Sequence, residues 1–373
     1  MLLASLTIAR SDFGRMAPFY QRLAADPRFE LRLALGAGHW DEKLGRSGDE
    51  VEKSGIAIDW RLPHGGKSPS QQAAIVLSGV GEWLEARRPD ALLLLGDRFE
   101  MLAATQAATL ARVPVIHVGG GHLTLGAIDE RIRHAISKLA AVHLVASDTC
   151  AQRVADLHED RSRIFVTGAP ELEALRLLPE ISRAEFFRRS GFPEGDFLLA
   201  TIHPETQVDA ATNLRYADEV RAFVKHSPLP ILITAPCLDP GHEAFLELAA
   251  AVPELRPGSR FIPNLGMELF VAAMRHAKAL IGNSSSGIIE SASCRLPALN
   301  LGERQKGRDR ASNVIDAPFQ RQAIEEGLKR LLDPAFRSHC QSLINPYGDG
   351  FFSDRALPLL SALPLPLGID KNW

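Results

Sequence analysis

The chain has 373 residues, 46% of them hydrophobic, and a formal net charge of −3, which gives room for two domains with substantial cores. No basic tail or Lys/Arg block occurs, which argues against nucleic acid as a partner, and no apolar run approaches the roughly 20 residues of a membrane span. Cys150, Cys237, Cys294 and Cys340 lie far apart without a CxxC; they read as reduced, mostly buried thiols and, with a start that lacks the basic region of a signal peptide, point to a cytoplasmic protein.

The first expected strand, LLASLTI, ends at Arg10, and Ser11-Asp12-Phe13-Gly14 follow. Ser11 or Asp12 is expected to cap the next helix. Arg10 is either a solvent arginine or a phosphate partner. LRLALG is the next strand, QQAAIVLSGVGEWLEARR a helix, and ALLLLGD a buried strand that ends at Asp97. That carboxylate either caps the helix EMLAATQAATLAR or serves as an acid or base towards a ligand. PVIHVGG runs into a glycine tract and His122, ahead of a helix opened by Asp129 and Glu130, with Arg131, Arg133 and His134 behind. Acids in a first turn are ordinary dipole partners. The spacing of His117, His122 and His134 fits no standard ligand pattern, so no metal is expected. VHLVAS and RIFVTGA are the next strands. Continuous apolar strands alternating with helices mean a parallel sheet covered on both faces.

A charged, helical, proline-punctuated stretch from Pro179 to Asp196 precedes a second run of the same alternation. The expected domains are therefore residues 1–180 and 181–373, with the last helix, after NPYGDG, free to pack back on the first domain. In the second half FLLATI ends in His203-Pro204-Glu205. His203 is either structural or, from its place at a strand end, a proton donor or phosphate partner. PILITAP and RFIPNL follow, then ALIGNSSSGIIES, whose strand ends at Gly282-Asn283. Ser284, Ser285, Ser286 and Gly287 lead into a helix, and their hydroxyls and backbone N–H groups make an anion cradle. One serine suffices for a cap; three with a glycine suggest a diphosphate. Glu290, expected one to two turns into that helix, is placed to accept both ribose hydroxyls of a nucleotide. Arg304, Lys306, Arg308 and Arg310 after PALNL either add charge for the same ligand or form a solvated run. Neither GxGxxG nor GxxxxGK[ST] is present, so no bound cofactor is expected. These residues alone describe a two-domain enzyme for a nucleotide sugar or another phospho-ligand, with the reaction open.

GDRFEMLAA, GAIDERIRHAISK, GNSSSGIIESAS, GERQKGR and NPYGDG occur in one order, with TIARSDFGRMAP before them and TIHPET between. Together they resemble the hydrolysing UDP-N-acetylglucosamine 2-epimerases, which supply N-acetylmannosamine to sialic acid and related nonulosonate pathways. The resemblance spans Arg10 to Gly350. It implies a GT-B architecture of two Rossmann-like domains with parallel sheets facing a central cleft, a UDP-sugar substrate, and a homodimer or homotetramer. By that match Arg10, Asn283, Ser284, Ser285, Ser286, Gly287, Glu290, Arg304 and Lys306 hold the nucleotide, and His203 assists the diphosphate. Asp97, Asp129 and Glu130 belong to the catalytic set. The implied chemistry expels UDP from C1 while a base takes the C2 proton, giving a 2-acetamidoglucal. Water then adds at C1 and a proton returns to C2 from the other face.

The pattern breaks at one place. Where the family reads His-Gly-Gly-Glu, with a catalytic glutamate, this chain reads Gly119-Gly120-Gly121-His122. Three readings follow: His122 performs the glutamate's proton transfer; His122 meets a different sugar, such as a UDP-diacetamido-trideoxyhexose or a GDP-sugar; or epimerisation is lost, leaving a hydrolase, a glycosyltransferase or a sugar-nucleotide-binding protein. A second departure is TAPCLDPG, with Cys237 where the family tends to have asparagine.

Overall fold

The computed structural model describes residues 1–40, 47–63, 65–66, 68–125, 127–237 and 239–369. Gly126 of the GAIDER motif and the last four residues of the tail lie outside the described residues. Contacts divide the chain into two units. The first comprises Met1–His122, Asp129–Leu177 and Tyr347–Trp373, the second Leu123–Ile128 and Leu178–Pro346.

The first unit is built on seven parallel strands: β1 (Leu2–Thr7), β2 (Glu30–Leu35), β3 (Ile58–Arg61), β4 (Ala91–Leu95), β5 (Val115–Val118), β6 (Val142–Val145) and β7 (Ile164–Val166). Their order is β3-β2-β1-β4-β5-β6-β7. The four leucines of β4 show why such strands carry no polar face. Leu92 and Leu94 enter one core with Trp83 and Met101, while Leu93 and Leu95 enter the other with Phe19 and Leu23. Successive side chains point to opposite faces, and helices cover both. The helix Phe352–Ala362 belongs to this unit: Phe352, Ala356, Leu357 and Leu360 join the same core. Burial of each of its large side chains contributes about 1.5–3 kcal/mol, and Phe352 meets the Phe19 ring edge-on with centroids 5.0 Å apart.

The second unit repeats the order with six parallel strands: β8 (Leu198–Thr201), β9 (Ile231–Ile233), β10 (Arg260–Phe261), β11 (Ala279–Gly282), β12 (Ala298–Leu301) and β13 (Val314–Ala317), arranged β10-β9-β8-β11-β12-β13. The charged stretch after Pro179 forms the helix Arg183–Ser190, which buries Phe186 and Phe187 beside Phe192 and Phe197.

β3 (IDWR) and β13 (VIDA), each at one edge of its sheet, escape the sequence reading because polar residues interrupt their apolar runs. An edge strand keeps exposed positions and loses the continuous apolar run; β13 alternates buried Ile315 and Ala317 with exposed Asp316. No described helix is long and apolar enough to cross a membrane.

Each sheet has a topological switch point, where neighbouring strands send their connections to opposite sides: β1/β4 in the first unit, β8/β11 in the second. Ligands of open α/β sheets bind outside the carboxyl ends of the strands at such points. Arg10 and Asp97 follow β1 and β4; His203 and Asn283 follow β8 and β11.

Candidate active site

At the end of β1 the capping differs from expectation. The helix Arg10–Ala25 starts before Ser11, its N-cap is Ala9, and neither Ser11 nor Asp12 occupies the cap position. Asp12 lies in the first turn and accepts the Ala9 N–H at 3.2 Å, reaching back over the open end of the helix instead of capping it from in front. Arg10, the first helical residue, donates through Nε to Glu50 at 3.1 Å on the surface. Asp97 does not cap the helix Phe99–Leu110 either; the N-cap there is Arg98. Arg98 donates to both oxygens of buried Glu100, at 3.2 and 2.9 Å. Burial opposes the Arg98 charge, but Asp12, Glu100 and Asp129 outweigh it and raise its pKa. Burial also pushes the Asp12 carboxyl above the usual range, against the pull of Arg98 and Arg15.

The glycine tract after β5 is set by two close contacts. His117 is buried and its Nε2 lies 2.8 Å from the Gly96 carbonyl, which only accepts, so Nε2 carries the proton; Nδ1 then accepts from the Ser137 hydroxyl at 3.0 Å. Burial lowers its pKa to about 3, so this histidine is a neutral tie between the end of β4 and the helix Asp129–Leu139. Gly121 has φ +78°, and a Cβ there would sit 2.2 Å from the Cys150 carbonyl oxygen, so only glycine fits. His122 follows directly. Its ring lies 5.4 Å from that of buried Tyr347, and its Nδ1 is 3.8 Å from the Cys150 Sγ.

Beneath these groups is Arg133, whose side chain is 1% exposed. It donates to the His122 carbonyl at 2.7 Å, to Glu130 Oε2 at 2.8 Å and, in a short contact, to Asp97 Oδ2. The other Glu130 oxygen lies 2.8 Å from His134 Nε2. Asp97, Glu130 and the His122 main chain are thus joined in one hydrogen-bonded cluster. Asp129 stands near Arg98. Among the described residues no group of three or more His, Cys, Asp or Glu side chains is arranged to hold a metal ion.

In the second unit Asn283 clamps the main chain of His203: its Oδ1 accepts the His203 N–H at 2.7 Å and its Nδ2 donates to the His203 carbonyl at 2.9 Å. The His203 ring accepts the Cys237 N–H at Nδ1, 2.9 Å away. The neutral ring therefore carries its proton on Nε2. Burial, and then Arg304, lower its pKa to about 4. Cys237 donates its thiol to Asp239 at 3.1 Å, and burial raises that thiol to about 12, so it is a protonated structural group. Arg304 donates to Asp239 at 2.8 Å and to the Pro204 carbonyl at 2.9 Å. It thereby ties Pro204 to Asp239. Lys306 is on the surface, paired with Glu303. Glu205 Oε1 accepts the N–H groups of Glu303 and Arg304 at 2.6 and 3.1 Å. That approach needs Gly302, where φ is +69° and a Cβ would lie 2.2 Å from the same oxygen.

The serine motif departs from the expected helix. Ser285–Gly287 form a single 3-10 turn, and a four-residue helix, Glu290–Ser293, follows. Glu290 is thus the first residue of the helix, not a residue one to two turns inside it. The helix is short because Arg295 takes a left-handed conformation at φ +54° and Leu296 precedes a proline, which disfavours helical backbone. The turn still gathers the predicted groups: Ser284 Oγ accepts the Ser286 N–H at 3.4 Å, and Ser286 Oγ donates to Glu290 at 3.5 Å.

The structure gathers Asp97, His122 and Glu130 in the first unit, and His203, Asn283 and Arg304 in the second. The sequence reading assigned no role to Arg133, Tyr347 or Glu205. The i,i+3 spacing of Glu130 and Arg133 was a visible signal for one of these contacts; the others join residues far apart in sequence.

The family model for UDP-N-acetylglucosamine 2-epimerase matches residues 21–361. A UDP-N,N'-diacetylbacillosamine 2-epimerase (hydrolyzing) of Legionella pneumophila is 34% identical over 96% of this chain and 95% of its own. The GDP/UDP-N,N'-diacetylbacillosamine 2-epimerase (hydrolyzing) of Campylobacter jejuni is 27% identical, over 90% and 88%. The crystal structure of UDP-GlcNAc 2-epimerase from Neisseria meningitidis bound to UDP-GlcNAc superposes with a TM-score of 0.84 at 20% identity, covering 96% of this chain and 99% of that one, which supports the GT-B type of fold. With a family match over most of its length and a hydrolysing relative aligned almost end to end, this chain belongs to the UDP-N-acetylglucosamine 2-epimerase family, as an enzyme of the hydrolysing nucleotide-sugar 2-epimerase type.

Proposed function

We propose that the chain hydrolyses a UDP-linked 2-acetamido sugar with inversion at C2, releasing UDP and the free 2-epimer by way of a 2-acetamidoglucal. The observation that carries this reading is the cluster of Asp97, Glu130 and His122 on Arg133 at the carboxyl ends of the first sheet. A C2 proton is weakly acidic, so it leaves only when departure of UDP is well advanced. That demands an acid/base pair on the sugar side and fixed positive or donor groups on the diphosphate. Asp97 and His122 are the proton-transfer groups in this reading, with Asp129 as a further carboxylate of the set. The nucleotide falls to the second unit: the Nε2–H of His203, the turn Ser284–Gly287 and Glu290, with Arg304 and Lys306 adding charge. Arg10, at the end of β1, is a further candidate for a phosphate group; its exposed pair with Glu50 contributes at most about 1 kcal/mol. The four cysteines are joined by no disulfide, which suits a reducing compartment, and we place a homo-oligomeric enzyme in the cytoplasm.

UDP-N-acetylglucosamine is one substrate of this description. A second, UDP-N,N'-diacetylbacillosamine, is favoured by the relative at 34% identity. Proton NMR in deuterated water with each UDP-sugar tests both. Free UDP with a C2-inverted, C2-deuterated sugar is expected from at least one. Both substrates unchanged, or free sugar with C2 retained, would overturn the reading.

A further inference from the structure

Arg133 is an expensive residue to bury. A guanidinium cannot shed its proton in a protein, and a buried ion pair adds little net stability, since apolar side chains of similar volume often do as well. Its partners show what the charge achieves. They come from three segments: Asp97 from the end of β4, Glu130 from the first turn of its own helix, and the His122 carbonyl from the end of the glycine tract. The carbonyl bond fixes the main chain that aims the His122 ring. Glu130 is held from both sides, by Arg133 on one oxygen and His134 on the other, an arrangement that suits a clamp better than a proton carrier.

We propose that Arg133 is a positioning residue of the epimerase reaction, setting the mutual geometry of Asp97, Glu130 and His122 without touching the sugar. This rests on the functional reading above. The groups facing the guanidinium include Asp97 after β4, the His122 main chain, Glu130 on its own helix and, next to Glu130, His134; His117 on β5 is close enough to feel its charge.

The test compares wild type with Arg133→Lys and Arg133→Ala. Lysine keeps the charge but loses the planar fork. Misplacing reacting groups by about 1 Å costs on the order of 10²-fold in rate, so Arg133→Lys is expected to lose about that much kcat while KM and UDP affinity stay near wild type. Arg133→Ala is expected to regain at least about tenfold of its lost kcat with millimolar guanidinium, since the missing contacts are geometric. Wild-type kcat in the lysine variant, no rescue of the alanine variant, or loss of UDP binding together with folding in both, would overturn the proposal. Histidine NMR separates this from the functional reading because it needs no turnover. If wild type turns over neither UDP-sugar, that reading fails; the His122 ring resonances are still expected to shift in Arg133→Lys, and unchanged ones would overturn the positioning role as well.

Discussion

His122 is held in place by its neighbours. Its ring packs on Tyr347, 5.4 Å between centroids, and its carbonyl is fixed by Arg133. An imidazole can take or give a proton near neutral pH, and such catalysis contributes typically about 10²–10⁴-fold. His122→Ala is therefore expected to lower kcat by about 10²-fold or more, with UDP affinity little changed. His122→Glu is expected to retain or raise turnover, since it restores the residue type that the resemblance places there. Both are read from the C2-deuterated product by NMR. An alanine variant with wild-type kcat would reduce His122 to a wall of the site. The strand-end residues Arg10, Asp97, His203 and Asn283 were legible because a buried apolar run that stops at a polar residue marks the carboxyl end of a strand. Arg133 and Tyr347 were not: each acts through partners brought close only by folding, and in sequence Arg133 is one cation among several on a charged helix.

At the scale of elements, the amphipathic helix Phe352–Ala362 was legible from its pattern, but the group that anchors it was not. Glu173, on the helix Pro170–Leu177, is 1% exposed and accepts the Ser353 N–H at 2.9 Å and its hydroxyl, supplying an acceptor to an open helix N-terminus from another helix. The segment before it is tied down as well, by Ala169 N–H to the Tyr347 carbonyl at 2.8 Å and Arg176 to the Gly350 carbonyl at 2.7 Å. Glu173→Ala leaves two buried donors of Ser353 unpaired, at about 1–3 kcal/mol each. The expected result is a melting temperature lowered by at least about 2 °C and faster proteolytic cleavage between Tyr347 and Phe352, the side of the helix that carries Tyr347 towards His122. An unchanged melt and cleavage pattern would show that apolar packing alone holds the helix. The serine motif is the converse case. Its composition announced a turn after β11, where the structure has one, yet the helix expected behind it is cut short by Arg295 and the Leu296-Pro297 step, a local stop that the apolar pattern conceals.

For the whole molecule, the alternation of apolar strands and helices was enough to read two parallel α/β halves, because strands covered on both faces leave a continuous signature. The response to acid follows from groups that this signature hides. His39 and His117 are fully buried and neutral, with pKa values lowered by burial to about 4 and about 3. In the unfolded chain both would titrate near 6.5. Below that pH the unfolded state binds more protons than the folded one, so stability is present above about pH 6.5 and is lost as pH falls towards 4, by roughly 1.4 kcal/mol per pH unit for each histidine. Asp12 and Glu205 act in the opposite sense at lower pH, because burial raises their carboxyls and the folded state takes up their protons first. The net slope is thus a difference, and one histidine must be isolated to read its share. His39 serves, since its ring is held between the Thr7 and Ser47 hydroxyls at 3.1 and 2.9 Å. Denaturant unfolding of wild type and His39→Gln at several pH values from 7 to 5 is expected to show a shallower loss in the variant, by about one proton's worth of slope. Parallel curves would mean that His39 binds its proton as readily folded as unfolded, and that acid destabilises the protein through other groups.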